Sequence, residues 1–379
     1  MVGKREIRGL KVQFDNRDID DIVENIRRCL QTGNLYQGEN VAAFERNFAA
    51  YHQVQYGIAV NSGYAAIEIP MHILGVSGKE VIVPTNTFIA TALGVIRAGG
   101  TVRLADTERN RLTPGLQQIQ KQVTPRTAGV ILVHIGGMIP QDIEQIRDWC
   151  HRQGLFLFED AAHAHGSCLG QKYAGEFGIA ASFSMFATKI ITCGEGGIIL
   201  TNNSEIDTRA RQMRNYGKAS DWITKNDEPG GNFRMSEITA AVALSQIRRL
   251  PEIIAKRQKI AALYVDLLEM ECGDLGLTVL YSHQTCGWYK LVVVLPDEID
   301  PHAVRQQFLQ AGIQLPGSVY QCPLHKQPVA KQFHFTGEYP NAEDICRRHI
   351  ALPIYPSLEE SSVYEVVHCL KKIMIKSRR

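Results

Sequence analysis

No apolar run in this sequence approaches the ~18 residues needed to span a bilayer. Residues Met1 to Arg8 are polar and charged, without the apolar stretch of a secretory signal, so a cytoplasmic location is expected. Charge of one sign is also lacking. The sequence has 41 Lys and Arg against 39 Asp and Glu, a formal net charge of +2. That balance gives no global footprint for nucleic acid or for an anionic membrane. The one basic run, Lys371, Lys372, Lys376, Arg378 and Arg379, follows an apolar helical pattern and reads as a solvated helix end. The nine cysteines are scattered without a Cys-x-x-Cys pair. Their spacing excludes a zinc ribbon and suits free thiols in a reducing compartment.

What is present is an ordinary globular composition, 45% hydrophobic and 21% charged, in 379 residues. That length allows two to three domains, or one large α/β unit with an appendage. Residues 15–52 read as helical. Short apolar runs then follow at 57–60, 80–84, 101–105, 129–134, 155–159, 181–186 and 197–201. Helical patterns separate most of them, at 65–74, 87–98, 114–122 and 140–152. Continuous Val/Ile/Leu strands alternating with helices predict an α/β fold, a mostly parallel sheet with helices on both faces. Residues 236–270 are helical but contain Pro251, which should bend or break the helix. A domain boundary is expected there, dividing the chain into residues 1–250 and 251–379. Strand patterns at 275–281 and 289–295 and helical patterns at 301–311, 341–350 and 358–375 predict a smaller C-terminal α+β unit.

In such a sheet ligands bind beyond the carboxyl ends of the strands. Four loops there carry candidate chemistry. Asn61-Ser62-Gly63-Tyr64-Ala65-Ala66 opens a helix, either as a phosphate cradle or as a plain N-cap. Phe88 after Thr85-Asn86-Thr87 is either a stacking surface for a planar ligand or a core aromatic. Glu159-Asp160-Ala161-Ala162-His163-Ala164-His165-Gly166 ends an apolar strand in a carboxylate, costly to bury unless something positive meets it. It admits a metal site from Asp160, His163 and His165, a carboxylate facing a protonated heterocycle, or a capping Asp. Lys189 is a single cation in an otherwise uncharged stretch, either snorkelling to the surface or desolvated into a nucleophilic amine. Gly194-Glu195-Gly196-Gly197 follows it as a turn.

Together these segments resemble the pyridoxal 5'-phosphate (PLP) enzymes of fold type I, and in particular the sugar aminotransferases of the DegT/DnrJ/StrS family. The resemblance runs from Thr32-Gly33-Asn34 to Leu352-Pro353-Ile354-Tyr355-Pro356. It also includes Ser182-Phe183-Ser184, Arg214-Asn215-Tyr216-Gly217 and Asn232-Phe233-Arg234-Met235. It implies that Lys189 binds the cofactor covalently and shuttles the substrate proton, and that Asp160 pairs with the pyridinium nitrogen. It implies that Phe88 stacks on the ring and His163 lies against it. Ser184 and the turn Ser62, Gly63, Tyr64 and Ala65 would hold the phosphate, and Asn232 would reach it from the other subunit of a homodimer with shared active sites. Tyr64 and His163 stand where family members more often have Thr and Gln.

The implied reaction is transfer of an amino group, with glutamate as the donor, to a nucleotide-linked keto sugar. A keto cyclitol aminotransferase and a sugar dehydratase are the related alternatives. The dehydratases resembling this chain replace the lysine with histidine, whereas Lys189 is present. A regulatory protein that had kept the fold without turnover should have lost Lys189 or Asp160. A metallohydrolase is the remaining enzyme alternative.

Overall fold

The computed structural model describes residues 6–219, 225–280 and 286–377. The first helix, α1 (Asn16–Thr32), begins in a capping box: Asp15 accepts from the Asp18 amide and Asp18 from the Asp15 amide, each at 3.0 Å. Gly33 ends it in the left-handed region, and α2 (Glu39–Tyr51) follows. Strands and helices then alternate: β1 (Tyr56–Val60), α3 (Ala65–Ile73), β2 (Glu80–Pro84), α4 (Ile89–Arg97), β3 (Thr101–Ala105), α5 (Leu116–Gln120), β4 (Thr127–Val133), α6 (Ile143–Arg152) and β5 (Phe156–Asp160). A small hairpin, β6 (Cys168–Leu169) with β7 (Lys172–Tyr173), precedes β8 (Ala180–Ser184), β9 (Gly197–Thr201) and α7 (Ser204–Met213).

Among the described residues, seven of these strands form one sheet in the order β1-β9-β8-β5-β4-β2-β3. Only β9 runs antiparallel to its neighbours β1 and β8; the other pairings are parallel. The order reverses between β2 and β4, so the loops after β2, β4, β5 and β8 gather at one edge, where a ligand crevice forms. Alternation along the strands feeds two cores. On one face Leu132, Leu157, Phe183 and Leu200 pack with Phe44 and Phe48 of α2 and Ile146 of α6. On the other, Ile131, Phe158 and Ile199 pack with Ile67 of α3, Val95 of α4 and Met213 of α7. The two-faced α/β architecture expected from the apolar runs is therefore present.

The long helix α8 (Glu237–Cys272) runs through Pro251, so of the bend or break expected there the break is corrected. Proline removes one backbone hydrogen bond, but Pro251 is exposed and the flanking turns are pinned on both sides. Ala240 to Ile254 pack on the large sheet's core, and Ile260 to Cys272 on a second core. That second core lies under β10 (Thr278–Leu280), β11 (Leu291–Val294), α9 (Pro301–Gln310), β12 (His349–Leu352) and α11 (Glu360–Ser377), while α10 (Pro340–Arg348) packs Ala342 and Ile345 into two smaller clusters. β10, β11 and β12 make an antiparallel sheet. Residues 349 and 350, read from sequence as the end of a helix, belong to a strand, because His349 to Leu352 pair with Val294 to Leu291.

Candidate active site

Residues at the tip of β5 point to opposite faces. Asp160, 5% exposed, faces α4 and accepts from the Thr91 hydroxyl at 2.7 Å and from the Ala162 amide at 3.2 Å. Thr91 is in turn within 3.0 Å of the Thr87 hydroxyl. Burial pushes the Asp160 pKa up, against the opposing pull of those two donors and of the Lys189 charge.

Beyond β8 the chain loops back to β9, held by Met185 N–H to the Gly196 carbonyl and Cys193 N–H to the Met185 carbonyl. Lys189 stands on this loop, half-buried, its Nζ 4.9 Å from the centre of the Tyr289 ring. Burial brings its pKa down to about 8, with Asp160 opposing and the nearby Lys290 assisting. His163 stacks on Tyr289, ring centres 4.2 Å apart, and more distantly on Tyr320. The Gly136 amide donates to its Nδ1, so Nε2 carries the proton toward the Tyr320 hydroxyl, both at 3.4 Å. Burial, helped by the charges of Lys189 and Lys290, holds the His163 pKa well below the ordinary value, so the ring is neutral.

The turn entering α3 supplies a different chemistry. Ser62 Oγ accepts from the Ala65 amide at 3.1 Å, and the Ser62 carbonyl from the Ala66 amide. Among the described residues, no hydrogen bond takes the amides of Gly63 or Tyr64. A Cβ on Gly63 would lie 2.7 Å from Ser184 Cβ, and one on Gly197 2.4 Å from the Ser62 carbonyl oxygen. Glycine at both positions lets the turn close against β8 and β9 and brings the Ser184 hydroxyl beside the open amides. Free amides at a helix N-terminus form an anion site. The Tyr64 phenol is engaged with Glu68.

These elements enclose a cavity of about 710 Å³. Ser62, Gly63, Tyr64, Phe88, Asp160, His163, Ser184 and Lys189 all line it, and Phe88 is 60% exposed. Two sequence candidates do not line it. Ala65 is buried in the first turn of α3. Asn232 is exposed, and its carbonyl accepts from Asn61 Nδ2 at 3.0 Å. The metal alternative fails on placement, because His165 packs against Phe48 and Phe183 instead of joining Asp160 and His163. Among the described residues no cluster of three such ligands occurs.

The sequence reading missed Thr91, Tyr289, Lys290 and Tyr320, which share the wall. Thr91 lies 69 residues from the carboxylate it holds. Tyr289 and Lys290 are marked in the sequence only by a polar pair entering an apolar strand.

A sheet of this topology, with a buried carboxylate and a half-buried lysine converging at its strand ends, is that of a fold type I aminotransferase. The sequence profile of the DegT/DnrJ/EryC1/StrS aminotransferase family matches residues 16–371, and the chain belongs to that family. It is 31% identical over 368 residues to the spore coat polysaccharide biosynthesis protein SpsC of Bacillus subtilis, covering 93% of this chain and 94% of SpsC. It is 32% identical over 350 residues to the dTDP-4-dehydro-2,3,6-trideoxy-D-glucose 4-aminotransferase of Saccharopolyspora spinosa, covering 88% and 89%. Among solved structures, S. venezuelae DesV in complex with a ketimine intermediate superposes with a TM-score of 0.90 at 28% identity, over 97% of this chain and 98% of DesV.

Proposed function

We propose that this enzyme is a PLP-dependent transaminase that moves an amino group from an amino acid, glutamate foremost, to a nucleotide-linked keto sugar. The observation that carries the reading is the meeting of Asp160 and Lys189 in one cavity with an open anion site at the start of α3. The residues fit the cofactor. A desolvated carboxylate with two hydrogen bonds suits a protonated ring nitrogen, and the Gly63 and Tyr64 amides with Ser184 suit a phosphate. Phe88 and His163 supply flat surfaces for a ring. When bound, PLP supplies an electron sink for the charge formed at the donor's α-carbon.

The chain's own residues do the rest. Thr91 and Ala162 hold Asp160 so that its carboxylate is fixed before any cation arrives. Lys189, with a pKa near 8, keeps a fraction of free amine at neutral pH and takes the proton from the donor's α-carbon through Nζ. Neutral His163 adds no second positive charge beside that amine. The relatives named for dTDP- and GDP-sugar chemistry support a nucleotide sugar as acceptor.

The reading extends to a homodimer with shared sites, supported by Asn232 standing outside its own chain's cavity. It extends also to a cytoplasmic enzyme, supported by the lack, among the described residues, of any helix long and apolar enough to cross a membrane. A division into residues 1–250 and 251–379 is supported by the change of core along α8.

The test is a half-reaction. Enzyme loaded with PLP and given glutamate alone should release 2-oxoglutarate, at most one equivalent per site. A nucleotide-linked keto sugar added next should gain the amine, read by mass. Borohydride reduction and peptide mapping should place the cofactor on Lys189. Failure of glutamate, glutamine, alanine and aspartate alike to yield a keto acid overturns the reading.

A further inference from the structure

Lys189 and Thr188 also border a second cavity, of about 170 Å³, between residues 10–13, α8 and residues 356–357. That volume is several times the ~30 Å³ share of one water. Its wall carries five basic side chains, Lys11, Lys189, Arg249, Lys256 and Arg257, and among the described residues no carboxylate. Two of the five are answered from outside the pocket, Arg249 by Asp18 and Asp15 and Lys256 by Glu252. Arg257 is not. Among the described residues it forms no ion pair; it is 3% exposed and donates only to the neutral carbonyls of Gly287, Trp288 and Tyr289. Burial lowers its pKa to about 10. Lys11 has no ion pair among the described residues.

Three residues of this wall each carry a buried polar atom with no hydrogen-bond partner among the described residues: Gln246 Nε2, Arg249 Nε and Ser357 Oγ. Gln246 is only 1% exposed. A buried donor left unpaired bears the full cost of its desolvation, and buried cations are normally answered by an anion. Three unpaired polar groups, each able to donate, beside an uncompensated guanidinium are the complement of a small oxyanion.

We propose that this pocket is a binding site for a small oxyanion, a phosphate or carboxylate group, held by Gln246, Ser357, Arg249 and Arg257 and attracted by Lys11. The site is separate from the 710 Å³ cavity and shares only the Lys189 segment and Leu10 with it. It stands whether or not the large cavity transaminates, because binding is read directly.

The experiment is a calorimetric titration of inorganic phosphate, and separately of acetate, into PLP-loaded enzyme at low ionic strength. The ratio of the two affinities tells a tetrahedral from a planar ligand. One saturable site per chain is expected. Gln246→Leu should weaken it at least tenfold. Lys11→Gln, on an exposed side chain and so safe for folding, should weaken it several-fold. Tyr320→Phe, on the wall of the other cavity and without change of charge, should leave it unchanged. No saturable binding of either anion, affinity unaltered in both Gln246→Leu and Lys11→Gln, or a loss that follows Tyr320→Phe instead would each overturn the site.

Discussion

Glu159 and Asp160 are neighbours on one strand, both buried, both carboxylates, and they do opposite things. Glu159 turns toward the α2 side of the sheet, where every lone-pair direction is used. Its Oε1 accepts from the amides of Phe177 at 2.8 Å and Gly178 at 2.7 Å, and its Oε2 from the Gly175 amide at 2.9 Å. Oε2 also meets His134 Nε2 at 2.8 Å. Asp160 has two donors and a cavity in front of it. A saturated carboxylate locks a turn, here the segment after β7. An unsaturated one keeps capacity for a ligand, at the cost of a pKa pushed upward. The strand's period of two is what separates the roles.

Exchanging each acid for its amide should give crossed results. Asp160→Asn should lower kcat/KM on the order of 10³-fold, about 4 kcal/mol, because a neutral amide cannot balance a ring cation. Its unfolding midpoint should stay near that of the parent. Steady-state kinetics beside a urea melt decides it, and a variant equally impaired in both would place Asp160 among the structural acids. Glu159→Gln should do the reverse. The amide NH₂ must face at least one of the N–H groups that Glu159 now accepts, so we expect a loss of about 3 kcal/mol of stability. The protein that remains folded should work within tenfold of the parent.

A milder change sharpens the same contrast. Thr91→Val keeps the shape of the side chain and removes the 2.7 Å bond to Asp160. Hydrogen bonds to charged groups are worth about 1.5–3 kcal/mol, so the rate should fall roughly tenfold or somewhat more. Cofactor affinity measured by equilibrium dialysis should weaken with it, while stability changes little. An unchanged rate would show that Asp160 needs no fixing from α4.

Much of this was legible in the residues. The bounds of β2, β3 and β9 follow from apolar runs closed by turn residues or polar punctuation. Asp160 and Lys189 stood out because each is a charge where the local pattern is apolar. Three elements were not legible. The hairpin of β6 and β7 has two residues per strand, too few for a period. The polar sequence of α7 hides its buried stripe of Ile206, Ala210 and Met213. The β12 strand follows α10 without a break, and only pairing with β11 makes it a strand. The site's second half was hidden for a related reason. Thr91, Tyr289, Lys290 and Tyr320 come from separate elements, and no spacing rule links them. Nor does the sequence say which of Glu159 and Asp160 is saturated, since that depends on amides 16 to 19 residues further on.

The smallest effect concerns a second pair of like residues, Lys189 and Lys290, both on the cavity wall and both near the Tyr289 ring, Nζ at 4.9 and 5.2 Å from its centre. Lys290 has no ion pair among the described residues. Burial lowers its pKa to about 8, with the charges of Arg257 and Arg305 acting the same way. A lysine whose folded pKa lies below its unfolded one releases its proton on folding in the window between them, so the unfolded chain binds more protons there. Stability therefore rises with pH from about 8 toward the ordinary lysine value of 10.5, and below pH 8 the full penalty is present. Lys290→Met removes the charge and keeps much of the stem. It should be more stable than the parent at pH 7, and that advantage should shrink steadily between pH 8 and 10. Urea melts of both proteins in the cofactor-free form, at pH 7, 8, 9 and 10, read the difference directly. A constant difference across the series would mean that Lys290 reaches water and carries no burial penalty. A growing one would mean that its ammonium has an anionic partner, and Lys290 would then join Arg249 and Lys256 as an answered charge.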